Sequence, residues 1–311
     1  MRRYWHSADD LVVTPVDVGI SSFPCLSVGD SRIAFFNEAG LGDPIRERLT
    51  PILSDLGITP ENLVFHLGDN LALYALNYGR QVTRYDAEVL NSVVNQILFL
   101  KSLSLQVKET EESFAYTVFA LARASEVNDD DTGNHISRVG KYCALLARQL
   151  GMPEKFVDII RLQSPMHDVG KIHTPPAILK KPGRLDPEEF EVIKQHTVQG
   201  AKIIGDHVRL TLARSIALSH HERFDGTGYP YGLQGNRIPI EGRIMAMADH
   251  YDALRNPRVY KPALDHETTM RIITEWDGRT LPRHFDPQVL AAFREISGHF
   301  AEIYDGFSTS A

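Results

Sequence analysis

164-SPMHDVGKIHTP-175 sets His167 beside Asp168, with Gly170-Lys171 two residues on. An adjacent His-Asp pair alone is more often a structural contact at a helix end than a site. Its company decides the reading. His196, the pair His220-His221 and Asp249 follow it, and 131-DTGNH-135 precedes it. Eight of the thirteen histidines fall between His135 and His250. Histidine is unfavourable to bury without a partner, and neutral imidazole with carboxylate is the ligand set of zinc, iron, manganese and related ions. Five histidines around one His-Asp pair point to a metal centre.

Neighbouring residues on a helix point about 100° apart, so they seldom serve one small site unless the chain leaves the helix there. Helix ends are predicted at both His167-Asp168 and His220-His221. Asp131 and His135 lie one helical turn apart and share a face. His135, His167, Asp168 and Asp249 make one donor set. His196, His220 and His221 make a second that lacks a carboxylate, which Asp168 can supply by bridging. That is enough for two ions about 3.5–4 Å apart, with water completing each shell. No cysteine biases the choice toward soft ions. A water bridging such ions would be acidified and able to attack phosphorus as hydroxide. Lys171, three residues after Asp168, reads either as a surface lysine or as a group that contacts a phosphate or neutralises the leaving oxygen. Arg258 and Lys261, in 258-RVYK-261, are placed to clamp a second phosphate.

The whole chain sets bounds on this. Its 311 residues allow two domains, each with its own core. A net charge of −7 argues against a nucleic-acid polymer as partner, though a local cationic pocket can still take an anionic small molecule. Met1-Arg2-Arg3 is not followed by an apolar run, so no signal peptide is expected. No run approaches the roughly 18 apolar residues that span a bilayer, so no membrane segment is expected and the cytoplasm is the default compartment. Cys25 and Cys143 fit no metal-cysteine spacing, and Cys143 sits on a helical apolar stripe as a buried thiol.

Residues 1–85 read as a smaller α+β domain. The runs 31-SRIAFF-36 and 71-LALYAL-76 are strands or short helices, between which periodicity does not choose. Asp43-Pro44 opens a helix over 44–56, closed by Gly57, and Thr59-Pro60-Glu61 resembles another helix start. His66 and Cys25 read as structural. Residues 86–126 contain no Pro or Gly and carry apolar residues at three- and four-residue steps. They form one long helix, or two in line, acting as a signalling or dimerisation helix or else packing on its own domain.

From 127 to 302 every signal is helical. Asp129, Asp130 and Asp131 suit a helix N-terminus, and Ile136, Val139, Cys143, Leu146 and Leu150 make its stripe. A helix from Pro153 runs toward Met166. Asp186-Pro187-Glu188-Glu189 starts another, which carries His196 and ends near Gly200. The next spans about 208–221. The loop 225-DGTGYPYGLQGNRIP-239 precedes a helix over 241–254 bearing Asp249, and helices from His266 and Pro287 close the domain. Residues 303–311 read as a tail. The expected fold is therefore a C-terminal all-α bundle and a smaller N-terminal α+β domain, joined by a long helix.

The ordered series 131-DTGNH-135, 167-HDVGK-171, 179-LKKPGRL-185, 196-HT-197, 220-HHERFDGTGYP-230, 248-ADHYDAL-254, 258-RVYK-261 and 284-HFDP-287 resembles the HD-GYP domain, a branch of the HD metallophosphohydrolases. Gly228-Tyr229-Pro230 after a double histidine names the branch. The resemblance implies hydrolysis of cyclic di-GMP to pGpG or GMP at a centre of two or three ions, commonly iron, with manganese, zinc or nickel as alternatives. It puts the ligands on His135, His167, Asp168, His196, His220, His221 and Asp249, and the substrate contacts on Lys171, Arg258 and Lys261. It makes the Gly228-Tyr229-Pro230 loop a contact for GGDEF diguanylate cyclase domains. Three positions depart from the family pattern. Asp131 replaces a glutamate tied to a third ion and is a methylene shorter, which argues against that ion. His173-Thr174 replaces Gly-Ile, and Val259 replaces a proline. An active phosphodiesterase regulated through its N-terminal domain is one reading. A metal-bound cyclic di-GMP sensor or protein-interaction adaptor with little turnover is the other. The Gly-Tyr-Pro loop argues against a hydrolase for a different nucleotide.

Overall fold

A computed structural model describes residues 2–6, 11–15, 33–37, 59, 61–67, 72–126, 134–256 and 263–308. The chain divides into two compact units, Met1–Glu109 and Thr110–Ala311.

In the first unit, β1 (Arg2–His6) pairs antiparallel with β2 (Leu11–Pro15). A second sheet has β4 (Asn62–Leu67) between β3 (Ile33–Asn37) and β5 (Ala72–Leu76), all antiparallel. Both apolar runs left open by periodicity are thus strands. The helix expected from Thr59-Pro60-Glu61 is a correction: the chain there enters β4. Leu63, Val64 and Phe65 are all fully buried, and such a run suits a central strand covered on both faces. Val64 packs with Val82 and Ala87, while Phe65 lies 6.0 Å from Phe36 and from Tyr74 on the flanking strands. His66 is buried, with Nδ1 3.1 Å from Asn91 Oδ1, as a structural histidine should be. Cys25 and the helix expected over 44–56 lie outside the described residues.

One continuous helix, α1 (Arg84–Glu126), fills the stretch without Pro or Gly. Its start is fixed by Asp86, whose carboxylate accepts from the Thr83 backbone N–H at 2.8 Å and hydroxyl at 2.9 Å. This satisfies donors that a helix N-terminus leaves unpaired.

Among the described residues the second unit is all-helical. It comprises the end of α1, then α2 (Asn134–Gln149), α3 (Glu154–Gln163), α4 (Pro176–Leu179), α5 (Pro187–Ile204), α6 (Thr211–Ser219), α7 (Ile240–Arg255), α8 (His266–Thr274) and α9 (Pro287–Ser308). The α2 stripe is buried as expected through Val139, Cys143 and Leu146, against Ile216, Met247, Tyr251 and Phe293. Tyr142 stacks on Phe300 with centroids 4.4 Å apart. Burial pushes the Cys143 thiol up to about 12, so it stays protonated. A smaller cluster joins Val118 of α1 to Met166, Val169 and Ala217.

The expected capping box at Asp186 is present: Glu189 N–H donates to Asp186 at 2.8 Å, and Asp186 N–H donates to Glu189 at 2.9 Å. The end of that helix is a correction. It runs past Gly200 to Ile204, and Gly205 caps it at φ +75°. Gly200 sits mid-helix because Gly170 packs onto it. A Cβ built on Gly170 would lie 1.9 Å from His196 O and 2.4 Å from Gly200 N. The helix expected over 208–221 is α6 alone, preceded by a 3-10 turn at Val208–Leu210. The expected C-terminal tail begins as helix, since α9 continues to Ser308.

Overpacking a core typically costs about 1–3 kcal/mol, and more where the obstacle is backbone. Gly170→Ala is therefore expected to destabilise the fold by about 3 kcal/mol. Gly200→Ala meets Gly170 N at 3.3 Å, a tight contact short of overlap, and gains helix propensity, so its cost should be smaller than that of Gly170→Ala. Urea melts of both variants check this, and equal midpoints would contradict the packing described.

Candidate metal centre

Local breaks in the helices allow adjacent residues to converge. His167 ends one 3-10 turn and Asp168 begins the next, so neither neighbour is bound to a helical spacing. His220 caps α6, and His221 follows it off the helix. His135 comes from α2, His196 from α5 and Asp249 from α7.

Four imidazoles are oriented by a partner at Nδ1. His167 donates to Ser164 O at 3.0 Å, His196 to Ile193 O at 2.6 Å, and His220 to Ile216 O at 3.0 Å. The fourth, His135, donates to Asp252 Oδ2 at 2.8 Å. An acceptor at Nδ1 fixes the proton there and leaves the Nε2 lone pair free. These lone pairs face one another: His135 Nε2 is 3.5 Å from His167 Nε2, and His196 Nε2 is 3.4 Å from His220 Nε2.

Asp168 stands among them. Its Oδ2 is 3.1 Å from His167 Nε2 and 2.8 Å from Lys171 Nζ. Its Oδ1 is 3.2 Å from His196 Nε2 and 3.6 Å from His220 Nε2, and among the described residues this buried oxygen has no hydrogen-bond partner. Asp249 Oδ1 lies 3.8 Å from both His135 Nε2 and His167 Nε2. Two donor groups result, Asp168 with His196, His220 and His221, and His135 with His167 and Asp249, each with ligand atoms within 4.8 Å of one another. Lone pair facing lone pair is repulsive unless a cation lies between. The donor set therefore fits divalent ions, and a nitrogen–oxygen set of this kind suits iron, manganese or zinc.

The electrostatics keep the donors in ligand form. Burial pushes the His196 imidazole down to about 4, and burial with His220 and His196 alongside holds His221 well below its ordinary value. For Asp168 burial acts upward, but the Lys171 ammonium outweighs it and holds the carboxyl well below the usual range.

Every expected ligand among the described residues is brought together. Lys171 joins them through its ion pair to Asp168. His173 is exposed, while Thr174 is buried. Asp131, Arg258, Val259 and Lys261 lie outside the described residues. Tyr229 of the Gly-Tyr-Pro loop lies against His221, centroid to centroid 4.8 Å.

Sequence reasoning missed the support behind His135. Asp252 is fully buried, accepts from Arg138 at 2.6 and 2.7 Å, and accepts from Asn256 Nδ2 at 2.7 Å. Burial acts upward on its carboxyl, but the hydrogen bonds from Arg138 and His135 hold it down to about 2. The signal was in the spacing: Asp252 follows Asp249 by three residues and Arg138 follows His135 by three, so each pair shares a helix face.

Buried neutral histidines make the metal-free fold sensitive to acid. His196 and His250 are each pushed down to about 4, chiefly by burial. The unfolded chain takes up their protons near 6.5 while the folded chain does not, so stability falls as pH drops from about 6.5 to about 4. Thermal midpoints of chelator-treated protein across that range should fall steadily, and a flat profile between pH 7 and 5 would contradict this.

Residues 120–289 match the family model described as HD domain. A cyclic di-GMP phosphodiesterase of Vibrio cholerae is 38% identical over 262 residues, covering 77% of this chain and 52% of the relative. A cyclic di-GMP phosphodiesterase of Thermotoga maritima is 36% identical over 272 residues, covering 86% of this chain and 68% of the relative. The 3'3'-cGAMP-specific phosphodiesterase 2 of Vibrio cholerae is 34% identical over 275 residues, covering 85% and 51%. The chain thus spans between about half and two thirds of the length of these relatives. The matched span contains every described ligand candidate, from His135 to Asp249, and on these grounds the chain belongs to the HD domain family, in its HD-GYP branch.

Proposed function

We propose that this chain is a divalent-metal-dependent phosphodiesterase that hydrolyses cyclic di-GMP to pGpG, GMP or both. Residues 127–302 are the catalytic part, 86–126 the connecting helical segment and 1–85 a regulatory or sensory part. One observation carries the reading: the two oxygens of Asp168 face two separate groups of imidazole nitrogens. That is the arrangement of a carboxylate bridging two ions. The names of two relatives, both cyclic di-GMP phosphodiesterases, supply the substrate.

His135, His167 and Asp249 would hold one ion, and His196, His220 and His221 the other, with Asp168 shared. Iron is the first choice, with manganese, zinc or nickel as alternatives, and the short Asp131 disfavours a third ion. Bound ions supply Lewis acidity and an acidified water. Water adds its oxygen to phosphorus, one P–O ester bond breaks, the departing sugar oxygen takes up a proton, and the ring opens to a linear dinucleotide. Lys171, with Nζ 2.8 Å from Asp168 Oδ2, puts its positive charge beside the reacting phosphate. Arg258 and Lys261 clamp the other phosphate.

Two partner contacts belong to the same reading. The Gly228-Tyr229-Pro230 loop meets GGDEF diguanylate cyclase domains. A homodimer forms through α1, where Val93, Leu100 and Val107 recur every seven residues and are 43%, 61% and 54% exposed. Such spacing suits a helix-to-helix seam. The cytoplasm is its site of action, and among the described residues no helix is long and apolar enough to cross a membrane.

Asp168→Ala should lose most bound metal, because both sites share that carboxylate. Metal analysis giving wild-type content would end the bridging assignment. Lys171→Ala should lower kcat by about 10²–10³ with less effect on KM, as for loss of one donor to developing charge. Cyclic di-GMP and 3'3'-cGAMP should be assayed side by side. A metal-loaded wild type that binds cyclic di-GMP yet hydrolyses none is instead a sensor or adaptor.

A further inference from the structure

Of the five imidazoles, His221 is held differently. The other four each have an acceptor at Nδ1, whereas among the described residues neither ring nitrogen of His221 has a hydrogen bond. Rings hold it instead: His220 at 4.0 Å and 42°, Tyr229 at 4.8 Å and 32°, and His196 edge-on at 5.0 Å. Tyr229 alone among these is not itself one of the candidate ligands.

The loop is built to put Tyr229 there. A Cβ on Gly228 would lie 2.3 Å from Arg223 N and 2.5 Å from Glu222 Cα, so only glycine lets the loop settle on the backbone after His221. Tyr229 N–H donates to His221 O at 3.2 Å. Glu222, 3% exposed, accepts from Tyr231 N–H at 2.8 Å and Leu233 N–H at 2.9 Å, so the residue next to His221 ties down the far side of the loop. On the outer side Phe190 of α5 meets the Tyr229 ring edge to face at 6.1 Å, and Lys194 Nζ lies 5.8 Å from its centroid. The tyrosine is thus wedged between α5 and His221.

We propose that Tyr229 is a positioning residue for His221, setting its ring orientation and so the affinity of the ion held with His196, His220 and Asp168. This rests on the two-ion reading above. Loss of a partner behind a ligand typically weakens metal binding by about 10–100-fold. The donors of the other group, His135, His167 and Asp249, come from α2, the 3-10 turn after α3 and α7, not from the residues that flank the loop.

The test is metal titration and stoichiometry of the full chain, with helicity by circular dichroism as the check on folding. Manganese or iron is the probe. Tyr229→Phe keeps the stacked ring and should retain two ions. Tyr229→Leu should lose one ion about 10–100-fold more readily than wild type while keeping the other, where general destabilisation would weaken both alike. Glu222→Gln loosens the loop without touching the stack and should give the same selective loss to a smaller degree. That variant decides alone if Tyr229→Leu does not fold. Folded variants that hold both ions as tightly as wild type, or lose both together, overturn the proposal. A wild type that binds no ion overturns the reading beneath it.

Discussion

A single carboxylate sets the terms for this molecule. Asp168 is buried among imidazoles that present lone pairs, so its negative charge has little water to lean on. Lys171 relieves part of that strain at one oxygen, while among the described residues the other oxygen is left without a hydrogen bond. Such a cluster is unfavourable as a purely proteinaceous core and favourable around cations. The surrounding helices are arranged to tolerate it. The two 3-10 turns carry His167 and Asp168 inward, and contact between Gly170 and Gly200 brings α5 near enough for His196 to reach the same carboxylate.

Much of this was legible in the sequence because it is local. Helix punctuation at Asp186-Pro187 and the His pairs at helix ends depend on residues a few positions apart, and they are found as expected. The features that escaped are long-range. Gly200 looks like a helix stop until a segment thirty residues earlier is seen to need its missing side chain. Asn62–Leu67 has three consecutive fully buried residues, a pattern shared by buried helices and central strands, and only pairing with β3 and β5 decides. Asp252 does not stand out in the sequence because Asp249, three residues away, already supplies the carboxylate that the ligand set needs. Its partnership with Arg138 spans 114 residues and leaves no trace in local spacing beyond the shared helix faces.

The anchors behind the imidazoles are of two kinds. His167, His196 and His220 lean on main-chain carbonyls of Ser164, Ile193 and Ile216, all within four residues upstream. Those acceptors exist whatever side chain the position carries. Of the four imidazoles with an acceptor at Nδ1, only His135 leans on a side chain, Asp252, from a different helix. Point mutation cannot delete the first three anchors, but it can delete or neutralise the fourth in one step. The hold on His135 is accordingly the evolvable one: drift at a position 117 residues away can loosen it, while the anchors of His167, His196 and His220 stay hard-wired into the backbone.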